Sequence, residues 1–187
     1  MSEARHKKPD GVTEEQEAIN LLAEAACSGD QKAFGLLIEK TQARLFRFTL
    51  ALCGNRQLAE DLCQEAYLKA FSRLSTLENG KAFLDWLFQI TKNQYLDHVR
   101  SKASRTVSTE DEPIADESTS SADFAEALAV HEALSQFEPE DRWLLLLVDL
   151  EERTYREAAE QLSITEDAVR TRLFRLRKEF LQKWKKD

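Results

Sequence analysis

The chain has 187 residues, 42% of them hydrophobic, with five glycines, three prolines and a net charge of −8. That length holds one or two small domains with ordinary cores, and so few turn-forming residues exclude a turn-rich β architecture in favour of helices. No run of 18 apolar residues and no apolar stretch near the N-terminus occurs, which excludes an exported or membrane-inserted reading and predicts a cytoplasmic protein.

The three cysteines, Cys27, Cys53 and Cys63, lack CxxC spacing, and the three histidines do not cluster with them. They read as reduced thiols, with no metal and no cofactor expected.

Residues 1–16 are polar and charged and read as a disordered lead. From Glu17, Ile19, Leu22, Ala23 and Ala26 fall at helical spacing. Gly29 ends that helix, and Asp30 caps the next. Phe34, Leu37, Ile38, Leu45, Phe48 and Leu52 carry it to about Cys53, where Gly54 and Asn55 break it.

The helix predicted over Gln57–Leu74 has one broad apolar face of Ala59, Cys63, Ala66, Tyr67, Ala70 and Leu74. Opposite lie Asp61, Gln64, Glu65 and Ser72, with Leu68 among them. A single exposed leucine is ordinary on any surface. It also fits a docking anchor whose charged rim selects a basic partner.

A polar loop, Ser75–Lys81, leads to a helix predicted over Lys81–Lys102. Its Phe83, Leu87, Ile90, Gln94 and Asp97 form no single face. Trp86, Phe88, Tyr95 and His98 spread aromatic surface around it, and Lys92, Arg100, Lys102 and Arg105 make its end basic. Rings beside cations suit unpaired bases, which stack on the rings while cations hold the phosphates; the same rings serve equally as core.

Residues 106–122 contain Glu110, Asp111, Glu112, Asp116 and Glu117 with Pro113, a Ser/Thr run and no basic residue. Such a segment cannot bury enough apolar surface to fold alone and reads as a flexible acidic linker. It separates a domain at 17–105 from one at 123–187. In the second, Phe124, Leu128, Val130, Ala133, Leu134 and Phe137 mark one helix. Pro139 opens another, whose Leu144–Val148 run is apolar on nearly every side and therefore central.

The last two helices form a helix-turn-helix. Thr154 and Glu157 are spaced as a capping box, and Ser163, Ile164 and Thr165 make the break, with Thr165 as the next N-cap. Beyond it Val169, Leu173, Leu176 and Phe180 share a narrow core arc. The opposite arc holds Thr171, Phe174, Arg175 and Lys178, flanked by Arg170 and Arg177 on one side and Arg172 on the other. A basic outer face on a second helix suits major-groove docking, where arginines meet phosphate or guanine and Phe174 meets a thymine methyl.

Taken together, DLCQEAYLKAF (61–71), FLDWLFQITKNQYLDHVR (83–100), the acidic linker, FEPEDR (137–142) and TYREAAEQLSITEDAVRTRLFRLR (154–177) resemble an extracytoplasmic-function sigma factor of the sigma-70 family over residues 25–184. The resemblance implies an all-α chain of two small helical domains, sigma-2-like and sigma-4-like, joined by the linker. It further implies a protein that binds core RNA polymerase and directs promoter recognition, −10 melting and initiation for a stress or signal regulon. Asp61, Gln64, Glu65 and Leu68 would contact the polymerase. Asn79, Gly80 and Lys81 of the loop would hold a flipped base of the −10 element. Trp86, Gln89, Asn93, Asp97 and Arg100 would line the −10 face. Arg170, Thr171, Arg172, Phe174, Arg175 and Lys178 would read and grip the −35 duplex. An anti-sigma factor joins the implied partners by resemblance alone.

The recognition helix departs from the family, opening with Asp167-Ala168-Val169-Arg170-Thr171-Arg172 where members usually carry a Gly-Thr-Val-Lys-Ser-Arg type start. An aspartate there suits the helix dipole, repels a phosphate and can accept from cytosine N4.

A free-standing helix-turn-helix regulator is the main alternative, but it needs no block at 61–71 backed by an aromatic-basic helix. A sigma mimic acting only through protein contacts would not need the basic recognition face. No Ser/His/Asp, Cys/His or glycine-rich phosphate arrangement points to an enzyme.

Overall fold

The computed structural model of the protein describes residues 13–77, 80–104 and 121–184. Residues 1–12 of the expected lead, the loop residues Glu78 and Asn79, and linker residues 106–120 lie outside them. The described residues are helical with no strand, and they divide into two compact units, Thr13–Glu132 and Ala133 onward.

The first unit opens with α1 (Glu14–Cys27). It starts before the expected Glu17 because Thr13 caps it, its hydroxyl accepting from the Gln16 amide at 3.2 Å. Residues 14–16 therefore belong to the helix, and Thr13 to its cap, and not to the lead. Asp30 caps α2 (Gln31–Cys53) by accepting from the Lys32 and Ala33 amides.

Gly54 ends α2 in the left-handed region at φ 68°. A second constraint acts there, since a Cβ on Gly54 would sit 2.2 Å from the His131 ring. Asn55 then caps α3 (Arg56–Arg73), accepting from the Leu58 amide at 2.8 Å. The fully buried Ala59, Ala66 and Ala70 keep α3 thin on its inner face, so neighbouring helices approach closely.

After two short 3-10 turns, Leu74–Thr76 and Gly80–Ala82, comes α4 (Phe83–Ser104). The core joins aliphatic side chains such as Leu37, Leu45 and Leu87 to paired rings. Phe48 meets Phe88 edge-on at 4.9 Å, and Phe34 lies 5.1 Å from Phe71. Thr41 donates to the Leu37 carbonyl at 2.7 Å, which leaves its oxygen to accept from Tyr67 at 2.8 Å.

Helix α5 (Ser121–Leu134) starts inside the expected linker, and its residues to Glu132 cluster with the first unit. Arg56 lies over the Phe124 ring at 5.8 Å, and His131 Nδ1 lies 3.2 Å from the Ala51 carbonyl. The compact division thus falls at 132/133 and not at 122/123. Its cause is lateral packing, which periodicity along α5 does not encode.

The second unit contains α6 (Pro139–Leu145), which runs into a π-helical turn at Leu146–Leu150. Pro139 occupies the first turn, where its missing N–H costs nothing. Arg142 Nε reaches back to the Phe137 carbonyl at 2.8 Å, so the FEPEDR block works as a helix start. Trp143 to Val148 are all buried, as the apolar run predicts for a central helix.

Helix α7 (Tyr155–Leu162) has the complete capping box: the Glu157 amide donates to Thr154 Oγ1 at 3.2 Å, and the Thr154 amide donates to Glu157 Oε2 at 2.7 Å. Ser163 turns the chain in the left-handed region at φ 56°. Thr165 caps α8 (Glu166–Trp184), accepting from the Ala168 amide at 3.2 Å.

Candidate nucleic-acid interface

On α3, Asp61, Gln64, Glu65 and Leu68 all face outward, and Leu68 is 63% exposed. Phe71, one turn further, is half exposed and extends the apolar surface toward Phe34. Lys69 Nζ lies 2.6 Å from Glu65 Oε1, and this contact, followed by the neighbouring Gln94 amide, holds the Glu65 carboxyl below its ordinary range. The face is a leucine ringed by acceptors, suited to a basic partner.

Along α4, Trp86, Gln89, Asn93, Asp97 and Arg100 recur at three- and four-residue steps and form one stripe. Trp86 and Gln89 are half-buried; Asn93, Asp97 and Arg100 are exposed. The Trp86 ring stands 6.4 Å from the buried Phe83, which backs it. Asp97 and Arg100 pair at 3.6 Å.

The other rings resolve differently. Phe88 and Tyr95 are core, and Lys92 is buried as well, so neither those rings nor Lys92 adds to an aromatic-basic surface. His98 is half-buried.

The loop before α4 is anchored from beneath. Gly80 is buried, and a Cβ there would lie 2.8 Å from the Glu24 amide nitrogen and 3.2 Å from the Asn20 carbonyl oxygen. A side chain would push the loop off α1, so this glycine serves close packing, and it does not stand at an exposed tip. Asn79 and the Lys81 side chain lie outside the described residues.

On α8 the core arc and the outer arc separate as the spacing predicts. Val169, Leu173 and Leu176 are buried, Phe180 is half-buried, and Thr171, Phe174, Arg175 and Lys178 are exposed. Phe174 is 72% exposed with cationic side chains on its own helix face. Arg170 is exposed and pairs with Asp167 at 2.9 Å, which neutralises the acid that opens the helix.

The other two flanking arginines, Arg172 and Arg177, turn away. Arg172 is half-buried: its Nε donates to Asp141 Oδ1, and its Nη2 lies 3.5 Å from Glu140 Oε2. Arg177 donates to Asp149 Oδ1 at 2.5 Å and to Tyr155 Oη at 3.3 Å. Burial works against the Arg177 charge, but Asp149 and Tyr155 outweigh it and raise the pKa of the guanidinium. The arrangement brings Thr171, Phe174, Arg175 and Lys178 together, with Arg170 on one edge, and draws Arg172 toward α6. No sequence signal marks Glu140, Asp141 and Asp149, because nothing along α6 or the turn that follows it announces which helix their acids will face.

Among the described residues no group of three or more His, Cys, Asp or Glu is placed to hold a metal ion, and no helix is long and apolar enough to cross a membrane.

Residues 37–105 match the family model for sigma-70 region 2, and residues 127–180 match that for sigma-70 region 4. A probable RNA polymerase sigma factor, RfaY of Xanthomonas campestris, is 34% identical over 172 residues; the match spans 85% of this chain and 43% of that longer protein. The extracytoplasmic-function sigma factor SigM of Mycobacterium tuberculosis is 31% identical over 169 residues, spanning 89% of this chain and 84% of the relative. The solved structure of CnrH in complex with the cytosolic domain of CnrY has a similar fold, with a TM-score of 0.72 over 91% of this chain and 99% of that one at 24% identity.

Proposed function

The chain belongs to the extracytoplasmic-function sigma factors of the sigma-70 family, and we propose that it works in the cytoplasm by binding core RNA polymerase and carrying it to promoters of a stress or signal regulon. Its action is binding and not catalysis. The observation that carries this reading is the pair of surfaces on the first unit: the acid-rimmed Leu68 on α3 and the Trp86–Arg100 stripe on α4. A free-standing regulator needs neither beside its helix-turn-helix.

In this mechanism Asp61, Gln64, Glu65 and Leu68 dock on the polymerase. The α8 face places Arg170, Thr171, Phe174, Arg175 and Lys178 in the −35 major groove. The α4 stripe and the loop from Ser75 to Lys81 receive the −10 strand, with Asn79 capturing a base. Flipping that base costs a few kcal/mol, and stacking at roughly 1–3 kcal/mol per base offsets it. Gly80 supports the capture by holding the loop on α1. An anti-sigma factor is a further partner in this reading.

Run-off transcription with bacterial core polymerase on a library of promoter fragments tests it. Transcripts that depend on the protein and share spaced −35 and −10 sequences are expected. A protein that shifts duplex DNA alone, yet neither binds core nor starts transcripts, would be a free-standing regulator instead.

A further inference from the structure

We propose that Asp141 is a positioning residue for −35 discrimination, directing Arg172 and Arg175 of the reading helix through one shared carboxylate. This rests on the −35 reading of α8 given above.

Asp141 lies in the first turn of α6 and is only 8% exposed. Its Oδ1 accepts from Arg172 Nε, and its Oδ2 lies 3.8 Å from Arg175 Nη2. The two arginines stand three residues apart on α8, so one carboxylate between them spans a single helical turn. Glu140 meets the remaining edge of Arg172, with Oε2 3.5 Å from Nη2. Arg175 has Glu179 on its other side, Oε1 being 3.9 Å from Nε. The exposed arginine of the outer face therefore lies between two acids at ion-pair distance, and the half-buried one is tied into the seam between α6 and α8.

Two physical points make this a device for reading DNA. First, the Asp141–Arg172 pair persists when DNA docks. Stripping a buried carboxylate of its partner costs more than one solvent-exposed phosphate contact returns. Arg172 is accordingly no mobile phosphate gripper, and Asp141 stays in place beside Arg175. Second, arginine discriminates guanine by presenting two parallel N–H groups at a fixed angle. A long side chain whose direction is biased by a fixed charge loses less freedom on docking and mispairs less readily.

The test uses full-length protein assembled with core polymerase on promoters randomised across the −35 element. Wild type, Asp141→Asn, Arg175→Ala and the double variant are compared, each with a thermal melt. For Asp141→Asn we expect a cooperative melt, unchanged core binding and unchanged −10 preference. At the base pair that Arg175→Ala ceases to discriminate, its discrimination should fall by roughly fivefold or more. Arg175→Ala should add little in the Asp141→Asn background, because the two act on one contact. A folded Asp141→Asn protein with wild-type −35 preferences overturns the proposal, as does full additivity with Arg175→Ala. Should Asp141→Asn unfold the unit, Asp141→Glu keeps the charge but displaces both arginines. An altered −35 preference then supports the proposal, and an unaltered one overturns it. A wild-type holoenzyme indifferent to −35 sequence would instead remove the reading of α8 on which the proposal rests.

Discussion

Leu68 has no packing reason to be apolar, since most of its surface is in water and its helix neighbours Asp61, Gln64 and Glu65 are polar and exposed. Leu68→Ala should therefore leave stability within about 0.5 kcal/mol, as at other surface sites. It should weaken core polymerase binding by about 1 kcal/mol or more, the mark of a central anchor; paired thermal melts and titrations of core polymerase check both halves. Equal loss in the two would mean that Leu68 is structural. The cysteines behave in the opposite way. Burial pushes the Cys53 thiol up to about 11 and the Cys63 thiol up to about 12, while the Cys27 thiol is raised less, by burial and the nearby Glu24. Only thiolates are nucleophilic, so alkylation of the native protein at pH 8 should label Cys27 first and leave Cys53 and Cys63 untouched until denaturant is added. The same shifts have a stability consequence. Folded thiols that resist ionisation favour the native state below the ordinary value of about 8.5, and that contribution is lost as pH climbs toward 11. Peptide mapping of the alkylated protein and melts over that alkaline range read the two effects.

At the scale of elements, the helix-turn-helix is set by chemistry at its ends. The capping box at Thr154 and Glu157 and the Thr165 cap satisfy amides that would otherwise open to water. Between them Ser163 accepts a left-handed backbone that glycine adopts without penalty. Ser163→Gly should raise stability, by about 0.5–1 kcal/mol, because relief of that strain exceeds the added freedom of the unfolded chain. Denaturant unfolding followed by circular dichroism measures it, and a lower midpoint would show that the Ser163 side chain contributes more than the strain costs. Helix α8 shows how far local periodicity reaches. It separates Val169, Leu173 and Leu176 from Thr171, Phe174 and Lys178 correctly, yet it does not show that Arg172 and Arg177 bend back to carboxylates at Asp141 and Asp149.

For the whole molecule, a net charge of −8 and a DNA-reading role coexist because charge is placed unevenly, α8 carrying six cations against three acids. Outward-facing cations set the salt response, not total charge. With Arg172 and Arg177 engaged internally, fewer phosphates are met than the basic residues of α8 suggest. Lys178→Ala should lower the slope of log affinity against log salt by about one, uniformly across promoter sequences. Arg177→Ala should leave that slope unchanged and lower thermal stability, because it removes an ion pair with Asp149. Holoenzyme binding measured over a salt series distinguishes the two; a reduced slope for Arg177→Ala would mean that it contacts phosphate after all.

The sequence by itself determined the all-helical class, most helix ends and the core arcs of α3 and α8. Caps act across three residues and amphipathic faces repeat every turn, so both are local properties of the chain. The Thr13 cap obeys the same local rule, although the polar composition around it masks the helix start. Tertiary structure alone decided the rest: which rings of α4 go inside, that Gly80 is pressed on α1, that α5 packs as far as Glu132 with the first unit, and that Asp141 holds Arg172 across 31 residues. Each depends on which distant surface a side chain meets. Periodicity along one helix names its buried side but not the neighbour that covers it.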